Sequence, residues 1–256
     1  MAVMLTIIPI PAFEDNYIWL LHDGRHAVAV DAGDAEPLLD YLDEHGLRLL
    51  AVLDTHHHQD HIAGNDDLLA RFPALPIYGS RHIATVNRPV GGGDIVSFAE
   101  LDLHLQVLDT PGHTADHLTY YGANSLFCGD ALFTCGCGKL FEGTPAQAYA
   151  SLQKFAVLAD ETQVCCAHEY TLENIRFARL VEPDNALLAE REIRDTQTRA
   201  RNLPTLPATL ALEKSTNPFL CCDDPSVAAA ASRYAGHPLN SPVEVFAALR
   251  TWRNTF

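Results

Sequence analysis

The run Thr55-His56-His57-His58-Gln59-Asp60-His61 places His56, His58, Asp60 and His61 within six residues, directly after the apolar stretch Leu49-Leu50-Ala51-Val52-Leu53. Neutral imidazole and carboxylate are the donors that borderline first-row metals prefer, and a short loop at a strand end can aim several of them at one point. Extended backbone sends alternate side chains to opposite sides. His56 and His58 are therefore expected to face one way and His57 the other, with a supporting or packing role for His57. A histidine tag would sit at a terminus among flexible residues, whereas this run lies inside the chain before Ala63-Gly64-Asn65.

Further ligand types stand at the carboxyl ends of later apolar runs, where loops carry function on a rigid scaffold. His113 follows the alternating run Leu101-Asp102-Leu103-His104-Leu105-Gln106-Val107, Asp130 ends Leu126-Phe127-Cys128-Gly129-Asp130, and His168 ends Val164-Cys165-Cys166-Ala167-His168. The elements behind them read as short strands, among them Tyr17-Ile18-Trp19-Leu20-Leu21, Ala27-Val28-Ala29-Val30-Asp31 and Ile95-Val96-Ser97-Phe98, alternating with loops and a few helices. This suits an α/β sandwich flanked by helices. After Tyr170 the pattern turns helical over 172–181, 185–202, 226–235 and 242–256, with breaks at Glu182-Pro183-Asp184 and Leu203-Pro204-Thr205-Leu206-Pro207. A boundary is expected there, giving domains 1–170 and 171–256. Gly91-Gly92-Gly93-Asp94 lacks the lysine and spacing of a phosphate loop and reads as a turn.

His56-x-His58-x-Asp60-His61 with His113, Asp130 and His168 resembles the metallo-β-lactamase superfamily. The stretches Thr110-Pro111-Gly112-His113-Thr114, Cys137-Gly138-Lys139-Leu140-Phe141-Glu142-Gly143-Thr144, Ala167-His168-Glu169-Tyr170-Thr171 and Ser215-Thr216-Asn217-Pro218-Phe219 resemble glyoxalase II, the hydroxyacylglutathione hydrolases, over about 16–256. The resemblance implies an αββα sandwich of two mixed sheets followed by a C-terminal helical domain that contacts glutathione. It implies two divalent metals, zinc by expectation, with iron and manganese accepting the same donors. His56, His58 and His113 would hold the first metal, Asp60, His61 and His168 the second, and Asp130 would bridge them. Asp31 would support them from behind, its bland alternative being a turn residue. The implied reaction is hydrolysis of S-D-lactoylglutathione and related 2-hydroxyacylglutathiones by a metal-bound hydroxide, giving D-lactate and glutathione, the second step of methylglyoxal detoxification. The chemistry favours such a site independently, because zinc lowers the pKa of bound water from about 15.7 to about 7.

For the glutathione part, the matching positions are Lys139, Phe141, Tyr170, Arg250 and Arg253. Arg253 and Asn254 stand where the family more often shows lysine and aspartate, and Phe141 where some members carry tyrosine. These departures bear on glutathione affinity more than on the reaction. Among rivals on the same fold, a β-lactamase commonly replaces the bridging aspartate by cysteine, a persulfide dioxygenase needs neither a second metal nor a helical tail, and a nuclease would want a basic face. A non-catalytic metal sensor would have no need of every ligand retained here.

The 256 residues, 48% hydrophobic and 20% charged, suffice for a substantial core, and the formal charge of −16 argues against nucleic acid or anionic membrane as partners. An anionic thioester must then meet a local basic patch, which screening over about 8 Å permits. The start, residues 1–11, is apolar without a basic leader and carries two prolines, so it reads as a first strand rather than a signal peptide, and no apolar run approaches the ~20 residues of a membrane span. Seven cysteines, an odd number, fit reduced thiols in a cytoplasm, with packing as the role of Cys135-Gly136-Cys137; a monomer is the expected state, on which the cysteines do not bear.

Overall fold

The computed structural model describes residues 5–256. The first strand expected over residues 1–11 is β1 (Thr6–Ala12), and residues 1–4 of that expectation lie outside the described residues. A six-stranded sheet takes β1 through β2 (Asn16–His22), β3 (His26–Val30), β4 (Arg48–Leu53), β5 (Ile77–Gly79) and β6 (Arg88–Pro89) in sequence order. It is mixed: β1, β2 and β3 pair antiparallel, and β3 to β6 pair parallel. Pro9 and Pro11 are tolerated in β1 because it is an edge strand, where a missing N–H need not interrupt a ladder. The second sheet has the order β12-β11-β10-β9-β8-β7, comprising β7 (Ile95–Phe98), β8 (Leu103–Asp109), β9 (Leu118–Gly122), β10 (Ser125–Gly129), β11 (Gln163–Cys166) and β12 (Ala208–Thr209). Pairings β7 to β10 are antiparallel.

The chain forms two compact units, interleaved along the sequence. The first holds the described residues up to Asp109 with Asp116–Gly129 and Cys165–His168; the second holds Thr110–Ala115, Asp130–Val164 and Glu169–Phe256. Compactness therefore groups two segments before Tyr170 with the helical tail, where the sequence suggests one cut. The reason is local: α4 (Pro145–Ala156) packs on α9 (Pro242–Thr255).

In the first unit, β2 is buried on both faces. Ile18 and Leu20 join an apolar cluster with Leu38 and Leu42 of α1 (Ala35–His45), four residues apart and so on one helical face. Trp19 turns the other way, its ring 6.4 Å from Phe127 on β10 and its indole N–H donating to Cys166 O at 2.9 Å. Tyr120 on β9 donates to Asp54 O at 2.9 Å. These contacts set the two sheets face to face, with α2 (Gln59–Ile62) and α3 (Asn65–Arg71) completing the unit after β4.

The second unit packs α4 and α9 with α5 (Thr171–Val181), α6 (Ala186–Arg199), α7 (Leu210–Thr216) and α8 (Pro225–Ala235). Phe177, Phe219 and Phe246 are fully buried, with Phe219 6.0 Å from Phe177 and 5.6 Å from Phe246. Each expected helix after Tyr170 is present, and α7 is an addition. The strand expected from Leu101 begins instead at Leu103, because Ala99–Leu101 is a 3-10 turn closed by Asp102 in the left-handed region. No helix among the described residues is long and apolar enough to cross a membrane.

Candidate metal centre and candidate binding cavity

In the first unit the parallel strands β3 and β4 end side by side. Asp31 follows β3 with φ +54°, and its carboxylate accepts from Thr55 N and Thr55 Oγ1, each at 2.8 Å, while lying 3.0 Å from His61 Nδ1. Thr55 Oγ1 in turn lies 3.0 Å from His56 Nδ1. One carboxylate thus orders the start of the histidine loop and the ring of its last histidine. Gly33 permits the approach: a Cβ there would sit 1.8 Å from Asp60 O.

His168 is brought to the same place by β11. Tyr17 N donates to Ala167 O at 2.7 Å, and Asn16 bridges His168. The Nδ1 of His168 lies 2.7 Å from Asp15 Oδ1, leaving Nε2 3.4 Å from Asp60 Oδ2; His61 Nε2 lies 3.5 Å from the same oxygen. Donor atoms of Asp60, His61 and His168 all fall within 4.8 Å of one another. The hydrogen bond from His168, with the charge of His61 and the amide of Asn16, holds the Asp60 carboxyl well below the usual carboxylate range. His56 Nε2 lies 3.1 Å from His58 Nδ1, so these two share a point, whereas His57 turns away, 3.6 Å from Asp116 Oδ1. The His56 ring also stacks on His117 at 4.9 Å.

In the second unit, His113 Nδ1 lies 2.7 Å from Lys139 O and its Nε2 3.4 Å from Asp130 Oδ2. Gly138 makes this possible, since a Cβ there would meet Asp130 O at 2.0 Å and His113 Nδ1 at 3.0 Å.

The donor set fits divalent metals on two grounds. A ligating imidazole commonly gives its other nitrogen to a carboxylate, carbonyl or hydroxyl that fixes its tautomer. His56, His61, His113 and His168 each have such an oxygen partner at Nδ1. Two donors bound about 2.1 Å from one tetrahedral ion lie about 3.4 Å apart, close to the spacings found at Asp60–His61, Asp60–His168 and His113–Asp130. Thiol nucleophiles are disfavoured: burial pushes the Cys135 thiol up to about 12 and raises those of Cys137 and Cys165. All seven cysteines stand outside any disulfide.

A cavity of about 270 Å³ in the second unit is lined by Lys139, Tyr170, Asn174, Arg250, Arg253 and Asn254, among others. Four of the five substrate positions read from the sequence therefore meet here. Phe141 does not line it; it is exposed, with Lys139 Nζ 5.2 Å from its ring centre and its ring 5.3 Å from His113. Arg250 is buried, donating from Nη1 to Cys137 O at 2.6 Å and lying 5.4 Å over the Phe219 ring. Arg253 pairs with Glu173 at 3.1 Å and donates to Asn174 Oδ1 at 3.4 Å. Sequence reasoning missed Asp15, Asn16, Thr55 and Asn174, whose types are common in turns and helix starts.

Comparison with known proteins gives two family matches, the metallo-β-lactamase superfamily over residues 12–168 and the hydroxyacylglutathione hydrolase C-terminus over residues 169–256. The hydroxyacylglutathione hydrolase of Nitrosomonas eutropha is 51% identical over 255 residues, covering 99% of this chain and 100% of that protein. That of Thiobacillus denitrificans is 54% identical over 248 residues, covering 96% and 97%. Among solved structures, ETHE1 from Myxococcus xanthus superposes with a TM-score of 0.66 at 26% identity, covering 98% of this chain and 99% of that one.

Proposed function

Since the chain belongs to the hydroxyacylglutathione hydrolase family of the metallo-β-lactamase superfamily, we propose that it hydrolyses S-D-lactoylglutathione and related 2-hydroxyacylglutathiones to the 2-hydroxy acid and glutathione. This is the second step of the glyoxalase pathway. The observation that carries the substrate class is the cavity lined by Lys139, Tyr170, Arg250 and Arg253, a concentration of positive charge on a chain of net charge −16. Glutathione presents two carboxylates, and guanidinium groups bind carboxylates through paired, charge-assisted hydrogen bonds.

In this reading His56, His58 and His113 would hold one divalent ion, Asp60, His61 and His168 a second, and the Asp130 carboxylate would serve both. The ions, zinc in our reading with iron and manganese accepting the same donors, would lower the pKa of water towards about 7 and polarise the thioester carbonyl. Asp31, Asp15, Thr55 Oγ1 and Lys139 O keep the imidazoles in register, so that donor nitrogens need not reorganise when substrate binds. Arg250 and Arg253 contribute ground-state binding, and the exposed Phe141 offers apolar contact without a hydroxyl.

The functional division falls between residues 1–170 and 171–256, supported by the change of family match at 168/169. We read the chain as a cytoplasmic monomer that engages neither nucleic acid nor membrane; the net charge of −16 supports the absence of those two partners, and cysteines outside any disulfide support a reducing compartment. Asp130→Ala is expected to abolish most turnover while the protein stays folded, and Arg253→Ala to raise KM with little change in kcat. Near-normal turnover in the first variant would refute the metal assignment; a fall in kcat at constant KM in the second would refute the binding role.

A further inference from the structure

Thr216-Asn217-Pro218-Phe219 has no part in the chemistry above, yet its polar side chains are buried. Asn217 Nδ2 donates to Phe133 O and Gly136 O, each at 3.0 Å, and lies 3.2 Å from Glu213 Oε2. Its Oδ1 accepts from Phe219 N at 3.1 Å, which fixes the orientation of the amide. Phe133 and Gly136 close a tight turn through two backbone hydrogen bonds of 3.0 Å. Cys135 in that turn has φ +54°, a conformation disfavoured for an L-residue other than asparagine or aspartate. The turn is buried, so water cannot satisfy its peptide groups. Side chains do so instead: Cys135 N donates to Glu213 Oε2 at 2.8 Å, and Asn174 Nδ2 donates to Thr134 O at 3.1 Å.

Behind this bracket stands a buried ion pair. Arg191 gives Nη2 to Glu213 Oε1 and Nη1 to Thr216 Oγ1, each at 2.6 Å, and Nε to Asp195 Oδ2 at 3.2 Å. In front of it lies the cavity. Cys137, directly after the turn, accepts from Arg250 through its carbonyl, and Asn174 accepts from Arg253. Both arginines that meet the cavity are therefore anchored to the braced segment or to a residue bonded to it. Arg250 also rests on Phe219 from the same motif, and its buried Nε has no hydrogen-bond partner among the described residues.

We propose that Glu213 and Asn217 are positioning residues for recognition of the glutathione part: by bracing the Phe133–Gly136 turn they fix the wall from which Arg250 and Arg253 meet the substrate's carboxylates. This rests on the functional reading given above. Glu213 must be a carboxylate, because both of its oxygens accept. In Glu213→Gln the new NH2 faces a donor on one side or the other, Arg191 Nη2 or Cys135 N.

The test uses metal-loaded full-length protein and S-D-lactoylglutathione. Glu213→Gln and Asn217→Ala should each raise KM about tenfold, with kcat within about threefold and metal content unchanged. Asp195→Asn removes another carboxylate from Arg191 but touches no atom of the turn; it should lower Tm and leave KM unmoved. An unchanged KM in the first two variants, or an equal rise in Asp195→Asn, would overturn the positioning role. Should Glu213→Gln fail to fold, Asn217→Ala carries the same comparison. Absence of hydrolysis by the unaltered protein would overturn the functional reading first and this inference with it.

Discussion

Asp15 illustrates how the centre is built from pairs. It is half-exposed and stands 153 residues from His168, yet its Oδ1 lies 2.7 Å from that ring's Nδ1. Because such partners orient an imidazole and raise its basicity, Asp15→Asn should weaken metal binding by about ten- to a hundredfold. Competition titration against a chelator measures this, and an unaltered affinity would mean that His168 is not a ligand. The spacing of His56, His58, Asp60 and His61 made the loop legible in the sequence, since few structural roles require that many donors in one run. Asp15 and Thr55 were not legible, because an aspartate before a strand and a threonine after one are ordinary turn residues until the fold supplies their partners. Asp31 was half legible: its place at a strand end suggested either a turn or a support, and the fold gives it both a left-handed backbone and carboxylate contacts to Thr55 and His61.

Strands and long helices could be read from periodicity and breakers, as Trp19 and Ile18 on opposite faces of β2 illustrate. Helix α7 could not. Its seven residues are too few for a 3.6-residue repeat to emerge, and its start is marked only by Thr209, which accepts from Leu212 N at 3.3 Å. Close packing between elements was equally silent. Gly33 lets the turn after β3 lie against the backbone of α2, and Gly33→Ala would drive a Cβ into Asp60 O. That variant should lose metal affinity with little change in secondary structure, as followed by metal titration beside far-ultraviolet circular dichroism; tight binding in it would show that α2 can shift without disturbing Asp60 and His61. At α4 the reciprocal Thr144–Gln147 capping box satisfies two end groups, so Thr144→Ala should cost about 1 kcal/mol of stability in denaturant unfolding with kcat/KM unaffected.

The molecule as a whole carries excess negative charge while clustering histidine and carboxylate donors in its first unit and arginines and a lysine at a cavity of its second. Folding must bring those donors together, so ions that bind only the folded state add to its stability. Chelation should therefore lower Tm by roughly 5–10 °C for each ion removed, relative to protein held at a free metal concentration of about 100 times Kd. A Tm indifferent to chelator would argue against a resident metal. The interleaving of the two compact units was beyond the sequence, because residues 110–115 and 130–164 carry strand-end and loop signals whose allegiance is decided by packing: Pro111 O accepts from Ser151 of α4, and α4 packs on α9.

The most direct test is kcat/KM of the metal-loaded protein for S-D-lactoylglutathione beside the same acyl group on coenzyme A. A glutathione thioesterase with a basic recognition cavity should prefer the glutathione ester by at least about a hundredfold. Equal rates would contradict the role assigned to Lys139, Arg250 and Arg253, and hydrolysis of neither ester would contradict the proposed reaction.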